Sequence, residues 1–379
     1  MFIKGILILL RVNLLCGGRS LEHAISCGMY EFMRESIKQN DVQKVTVCNV
    51  FFIDRQGRLF HFGIGDSSLP TLDEIRQRGK AFKLEKLTEL LAASDAFTFS
   101  LLQGQDGEDG TIQGVAKFFR LPCNLSSPGV VGLAFDKHKQ TLIAEAMCVD
   151  LLQPMHGVCI DALQWHKQRA DLQPMLGRPC VLKPNMAGSS YGVQMCDALT
   201  ESVIAEYAKA VSGYDDLFVV QPYIEGREVT VGVLWSAEAD EFVELPVIEI
   251  STTSKLFDFA QKWSSGALKL SFVNPLDGAC LKAEKASRRL FRSLGMLTYA
   301  RFDYRIDNDG RVFFLEVNTS PGLMESSLFS KMLHANKLSV VDLILLSYDA
   351  YRWQESRDEK KRSTIATLRG AGHQQHMTD

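Results

Sequence analysis

A short stretch near the C-terminal end carries the strongest chemical signal in the chain. The segments YARFDYRI and RVFFLEVNTSPG are separated by Asp307-Asn308-Asp309-Gly310, a composition that favours a tight reversal. With Asp307 facing Val312 across a four-residue loop, antiparallel pairing sets Asp303 opposite Glu316 and Arg301 opposite Asn318. Side chains alternate faces with period two, so these residues would project together. Carboxylates directly opposite one another repel unless a cation is supplied. Oxygens from Asp303, Glu316 and Asn318 suit Mg²⁺, which takes few protein ligands and completes its shell with water and phosphate oxygens. A solvated strand face with incidental charges is the plainer alternative. Arg301, and an Asn beside the apolar FFL run, argue against it.

Phosphate would need its own cradle. The strand CVLK runs into PNMAGSSYG, a loop of small residues from Pro184 to Gly192. Glycine lets a backbone approach phosphate closely, and Lys183 at the strand end can reach a phosphate oxygen. No G-x-x-x-x-G-K-[ST] occurs, so this is not a Walker loop. In VVQPYIEGREVTVGVL, Glu228 opens a strand after a turn at Glu225-Gly226, where a carboxylate can accept hydrogen bonds from ribose hydroxyls. An exposed strand-end Glu or a solvated Lys137 or Lys262 is equally plausible for each taken alone. In GGRSLEH, Glu22 follows a strand end near a helix start, where open α/β sheets place binding groups. Glu108 and Asp109 of GEDGTIQG run into a helix and serve equally as ordinary first-turn acids. GIGDSS at Gly63 fails the dinucleotide spacing and is set aside.

These groups must be positioned by more than one core, because 379 residues exceed what a single core usually organises. Apolar strands alternate with helical patterns in the N-terminal third: VNLLC, a helix from about 21 to 38, VTVCNVFFI, and a helix near 84 to 93. That alternation predicts a parallel α/β layer over residues 1–125. Residues 126–221 read as a central unit with helices around 138–152 and 200–211 flanking strands at 180–183 and 217–220. Residues 222–352 carry the strands VTVGVLW, FVELPVIEI, YARFDYRI and VFFLEV and a helix from about 283 to 294, an α+β unit. Residues 353–379 read as a polar tail, frayed from about Arg357.

Composition narrows the function classes. The chain is 46% hydrophobic and 23% charged with a net charge of −3, which gives no electrostatic reason to expect nucleic acid or an anionic membrane as partner. Its nine cysteines are scattered, form no C-x-x-C pair, and lack clustered histidines. Reduced thiols in a cytoplasmic protein are expected, with no structural zinc. The opening MFIKGILILL has the look of a short signal peptide, but Arg11 interrupts it and no small-residue cleavage pattern precedes Cys16. An extended first strand is the preferred reading, and no run reaches the roughly 18–20 apolar residues of a bilayer span.

Taken in order, GGRSLEHAIS, GEDGTIQG, Asp136-Lys137, KPNMAGSSYG, EGREVTVGVL, LPVIEI, FDFAQKW, ARFDY and LEVNTSPGLMESSL resemble the D-alanine–D-alanine ligase family across roughly residues 12–351. The resemblance implies a three-domain ATP-grasp fold, α/β and α+β, with a Rossmann-like N-terminal domain and ATP held between the second and third. It implies that Lys137, Lys183 and Lys262 contact phosphates, Glu228 the ribose, and Gln221 and Ile224 the adenine region. Asp303, Glu316 and Asn318 would hold two Mg²⁺ ions, with Mn²⁺ acceptable in the same oxygen cage. Glu22, with Ser189, would serve the first substrate's ammonium. Arg301 and the Gly322 amide would serve an oxyanion, and Ser327 and Leu328 the second substrate's carboxylate. The implied reaction joins two D-alanines through an acyl phosphate, for peptidoglycan precursors, in a cytoplasmic homodimer.

The chain departs from the family pattern at Gln103, where a His is usual, at Ala187, where a Glu is usual, and at Gln221, where a Glu commonly meets the adenine. Trp263 replaces a Tyr or Phe in the loop expected to close over the second substrate. Losing one hydroxyl hydrogen bond there costs about 0.5–1.5 kcal/mol, too little to abolish catalysis and enough to shift second-substrate preference. A related ligase using D-lactate, D-serine or another amine, and a non-catalytic ATP-binding paralogue, are the alternatives.

Overall fold

A computed structural model of the protein describes residues 2–3, 6–7, 9–39, 44–65, 68–252 and 268–375. Lys262 and Trp263, both expected near the nucleotide or second substrate, lie outside the described residues.

The N-terminal unit is built on strands β1 (Leu10–Gly17), β2 (Val45–Ile53), β3 (Leu59–Gly63), β4 (Lys80–Phe82) and β5 (Phe97–Ser100), with helices α1 (His23–Gln39), α2 (Leu72–Arg78), α3 (Leu87–Ala93) and α4 (Thr111–Phe119). The sheet order is β4-β3-β2-β1-β5. β1 pairs in parallel with both β2 and β5, whereas β2, β3 and β4 follow one another antiparallel. The purely parallel layer expected from alternation is therefore mixed. The connection Asp54–Arg58 is too short for a crossover helix, so β3 must return as a hairpin. At the functional end of β1, Gly17 has φ +91, and a Cβ there would lie 2.0 Å from the Ile53 carbonyl oxygen. Only glycine makes that exit.

In chain order α5 (Pro128–Phe135) and α6 (Lys137–Met147) come next, and their Ala134 and Ala144 join the core of the third sheet. Asp136 caps α6 by accepting the Lys139 amide. The central unit contains β6 (Val158–Asp161), β7 (Cys180–Pro184), β8 (Gln194–Cys196), α7 (Glu201–Val211) and β9 (Leu217–Pro222), in the antiparallel order β8-β7-β9-β6. Ile204, Tyr207, Ala208 and Val211 of α7 close this small core over Leu182, Phe218 and Val220.

The third unit contains β10 (Gly226–Ser236), β11 (Glu241–Val243), β12 (Ile248–Thr252), β13 (Leu268–Phe272), α8 (Gly278–Leu294), β14 (Tyr299–Asp307) and β15 (Val312–Asn318). Its sheet runs β13-β12-β10-β14-β15, with β11 on β10. FVELPVIEI, expected as one strand, divides into β11 and β12 around Pro246, which has no N–H to give a ladder. α8 begins five residues earlier than the apolar pattern suggests because Asp277 accepts the amides of Ala279 and Cys280.

The chain ends with α9 (Leu328–Ala335) and α10 (Val340–Gln375). The expected frayed tail is instead the continuation of α10. Its Glu, Lys, Arg and Ala residues are strong helix formers, and Lys361–Asp358 and Arg362–Glu355 pairs brace it. Trp353 meets Trp235 edge-on at 5.0 Å, tying the helix to the third sheet. Phe329, Met332, Leu343 and Ile344 of α9 and α10 share one core with Val12, Leu14, Tyr30 and Phe99 of the N-terminal unit.

Candidate active site

The hairpin β14–β15 brings Arg301 opposite Asn318 and Asp303 opposite Glu316. Its turn is one residue longer than expected, with Ile306 rather than Asp307 facing Val312, and a bulge between Asp303 and Tyr304 restores the pairing at the functional end. A continuous ladder from that turn would have put Leu315 opposite Asp303. The bulge thus decides which carboxylates meet.

Arg301 is buried and grips Asp303 through Nε to Oδ1 at 3.0 Å and Nη2 to Oδ2 at 2.8 Å. Thr230 on β10 donates to the same Oδ1 at 2.5 Å. Burial works against the Arg301 charge, but Asp303, Glu316 and Glu108 outweigh it and raise its pKa. Asp303 thus has little free lone-pair capacity, which leaves Glu316 and Asn318 as the main oxygen donors. Asn318 Oδ1 also accepts the Ser320 amide at 2.9 Å. Among the described residues no group of three or more His, Cys, Asp and Glu stands ready for a metal. Such a sparse, all-oxygen donor set fits a hard cation that brings phosphate oxygens as most of its shell, and not a self-sufficient protein cage.

Lys183, on β7, extends to the Leu315 carbonyl oxygen at 3.2 Å. Burial pushes its ammonium down to about 8, against the pull of Glu316 and with the help of Lys137. Lys137 opens α6 and donates to the Ala187 carbonyl. Ala187, where a glutamate side chain was expected, thus holds the loop to α6 through its backbone.

Ser189 and Ser190 adopt φ of +52 and +57, uncommon for residues with side chains and retained where the surroundings enforce it. Ser189 donates to Glu22 Oε1, joining the loop to the N-terminal unit. Glu22 lies between two glycines: a Cβ on Gly188 would be 2.4 Å from its Oε2, and one on Gly104 would be 2.6 Å away. Gln103 donates to Ser320 Oγ at 3.1 Å and to its carbonyl at 2.9 Å, which binds the N-terminal unit to the loop after β15.

Two cavities result. One is walled by Ser189, Gly322, Ser327, Glu108, Gln140 and Lys137. The other is walled by Lys183, Gln221, Ile224, Glu228, Arg305 and Asp303. They adjoin at Arg301, Glu316 and Leu328, which border both. Gly322 approaches Ser327 so closely that a Cβ would stand 2.9 Å from Oγ, and Ser327 Oγ accepts the Met324 amide at 3.1 Å.

Three residues not singled out from the sequence as site members belong here. Glu108, which the sequence left equally open to an ordinary helix-start acid, is buried in the first cavity and accepts the Gly104 amide at 2.7 Å. Burial raises its pKa well above the usual carboxylate range, Glu22 adds to the rise, and the Gly104 bond, Arg301 and Lys137 oppose it. Arg305 approaches Glu228 at 3.5 Å and donates to the Ile224 carbonyl at 2.9 Å and Tyr223 Oη at 3.0 Å. The spacing Arg301, Asp303, Arg305 was the available signal for it. Gln140 Oε1 accepts the Val317 amide at 2.6 Å, and nothing local in the helix marks it.

Residues 11–126 match the family described as D-ala D-ala ligase N-terminus, and residues 153–346 the family described as D-ala D-ala ligase C-terminus. The chain is 31% identical to the D-alanine–D-alanine ligase of Bordetella petrii over 261 residues, 68% of this chain and 76% of that one. It is 27% identical to that of Geobacillus thermodenitrificans over 371 residues, 92% of this chain and 97% of the relative. Among solved structures, the D-alanine–D-alanine ligase from Coxiella burnetii superposes with a TM-score of 0.72 at 20% identity, covering 94% of this chain and 99% of that one. The VanG D-Ala:D-Ser ligase from Enterococcus faecalis gives 0.70 at 22%, covering 91% and 100%. At these identities the structural likeness establishes the ATP-grasp fold. With both family regions matched in series around a shared pair of cavities, the chain belongs to the D-alanine–D-alanine ligase family.

Proposed function

We propose that this ATP-dependent carboxylate–amine ligase joins two D-alanines into D-alanyl-D-alanine, with Mg²⁺ held by Glu316, Asn318 and Asp303, for peptidoglycan precursor synthesis. The observation that carries the reading is the meeting of the two cavities at Arg301 and Glu316, an arrangement that suits a polyphosphate in one and an amino acid in the other. A solved D-alanine–D-alanine ligase from Bacillus anthracis in complex with ATP shares the fold, at a TM-score of 0.65 and 20% identity. In the proposal Lys183 and Lys137 receive the phosphates, Glu228 the ribose, and Gln221 and Ile224 the base. Lys262 is assigned to phosphate, and Trp263 to the second-substrate lid, from the sequence alone.

A free carboxylate is a poor acyl donor, so the first D-alanine's carboxylate attacks the γ-phosphorus to give an acyl phosphate and ADP. Bound Mg²⁺ would supply charge compensation at the transferring phosphoryl group. Lys183 and Lys137 add to it from buried positions, where charge acts strongly. Glu22, held by Ser189, takes the first substrate's ammonium and fixes its carboxylate toward the phosphate. The second D-alanine, anchored by Ser327 and Leu328, attacks the activated carbonyl. Arg301 and the Gly322 amide accept the oxyanion charge before phosphate departs. No helix among the described residues is long and apolar enough to cross a membrane. A cytoplasmic homodimer remains part of the proposal.

The test is phosphate release from ATP and Mg²⁺ with D-alanine alone, followed by product mass. Brisk turnover to the D-alanine dimer is the expected result. Turnover only with D-lactate, D-serine or another second substrate would overturn the choice of product, and ATP binding without turnover would overturn the enzyme.

A further inference from the structure

Gln221 stands near the end of β9, opposite Val181, and is 3% exposed. Its Nε2 is buried without a hydrogen-bond partner, although the residue borders the cavity proposed for the nucleotide. Buried amide donors are nearly always paired in a folded protein, so an orphan on a residue that borders a cavity marks a place for a ligand acceptor. The neighbouring walls, Met155, Val181, Ile224 and Leu315, are apolar and suit the faces of a planar base. Charged groups bordering the same cavity are already engaged: Glu228 and the Ile224 carbonyl hold Arg305, and Leu315 holds Lys183.

A base edge offers distinct patterns to such a residue. Adenine presents an exocyclic amino donor beside the N1 acceptor, whereas a 6-oxopurine presents an O6 acceptor beside an N1–H donor. A carboxylate only accepts, so it matches the adenine amino group and repels O6. An amide carries both a donor and an acceptor, and a half-turn about its last torsion exchanges them. The side chain uses the space that Gly157 leaves: a Cβ there would fall 2.7 Å from Gln221 Cγ and 3.3 Å from its Nε2.

Resting on the nucleotide reading of this cavity, we propose that Gln221 reads the six-position of the purine as an amide, so that the site takes inosine triphosphate nearly as well as ATP. Inosine triphosphate is the appropriate probe because it changes that edge without adding the 2-amino group of guanine.

Calorimetric binding of ATP and of inosine triphosphate to the full chain, each with Mg²⁺, tests the idea, alongside phosphate release with D-alanine. Wild-type protein should bind the two within about tenfold of one another, whereas Gln221→Glu should widen the gap by at least a further tenfold or so, against the 6-oxopurine. Gln221→Met, similar in volume but without polar atoms, should weaken both nucleotides and leave their ratio near that of wild type. A wild-type protein that binds ATP and rejects inosine triphosphate, or a Gln221→Glu ratio equal to the wild-type ratio, would overturn the inference alone. Failure of wild type to bind either nucleotide would overturn the nucleotide reading with it.

Discussion

Lys183 should give nucleotide binding its pH dependence. Burial lowers its pKa from 10.5 to about 8 in the free protein. Polyphosphate favours the protonated form, so binding takes up a proton wherever the free lysine has lost one. The Lys183 contribution to metal-free nucleotide affinity is therefore flat below pH 8 and falls by up to about tenfold per unit above it. Calorimetry in buffers of different ionisation enthalpy reads that uptake, and Lys183→Met should bind more weakly with a flat profile. Stability has the opposite slope. Between about 8 and 10.5 the unfolded chain holds more protons than the folded one, so this group's contribution to stability rises with pH across that window. Glu316 supplies a separate residue-level test. It is half-buried on a strand and makes no part of a core, so Glu316→Ala should keep its melting temperature within a few degrees while Mg²⁺-dependent phosphate release drops by about 10²–10³. Normal turnover in that variant would remove Glu316 from the proposed metal site.

Loops and helices make their own demands. Gly188→Ala would drive a Cβ into the Glu22 carboxylate, and the crowding displaces either Glu22 or the loop carrying Ser189. The expected outcome is a KM for the first D-alanine raised tenfold or about that, because an anchoring contact is disturbed; steady-state kinetics with an unchanged KM would show that Glu22 does not hold this substrate. At the other end of the chain, Trp353 ties α10 to the third sheet. Trp353→Ala, which removes the edge-on contact with Trp235, should cost about 2 kcal/mol in urea denaturation. A loss of well under about 1 kcal/mol would show that this contact does not hold the helix to the sheet.

At the scale of the molecule, the three units are unequally joined. The N-terminal sheet and the helices α9 and α10 share a single core that includes Phe329, which is fully buried. Phe329→Ala should destabilise both ends of the chain together, by about 3–5 kcal/mol, with coincident transitions by fluorescence and by activity. The central sheet closes on a separate core. Its bonds to the rest run largely through the loop beside the cavities, as with Lys137 to Ala187 and Ser189 to Glu22. Amides of residues 158–220 should therefore exchange with solvent as a less protected group than those of β10 and β14, and nucleotide should narrow the difference. Uniform protection without nucleotide would contradict that division.

Local chemistry alone determined the larger part of the site. Period-two alternation puts Arg301 with Asp303 on one side of their strand and Glu316 with Asn318 on one side of theirs, and the lysine at a strand end and the small-residue loop after it follow from composition. Glu22 was legible because a glycine turn after a buried strand must project the next helix start toward the sheet's open end. Other features were set by distance in space. Whether Asp303 faces Glu316 depended on a bulge that no residue type announces. Glu108 could be told from an ordinary helix-start acid only once the fold buried it with Glu22 and Arg301. Gln103 became a bridge between units only by reaching Ser320, more than two hundred residues along the chain. The mixed strand order and the continuous C-terminal helix were likewise tertiary outcomes. Hairpin return, the Trp353–Trp235 contact and shared cores weigh non-local packing against local propensity, and local sequence does not encode that balance.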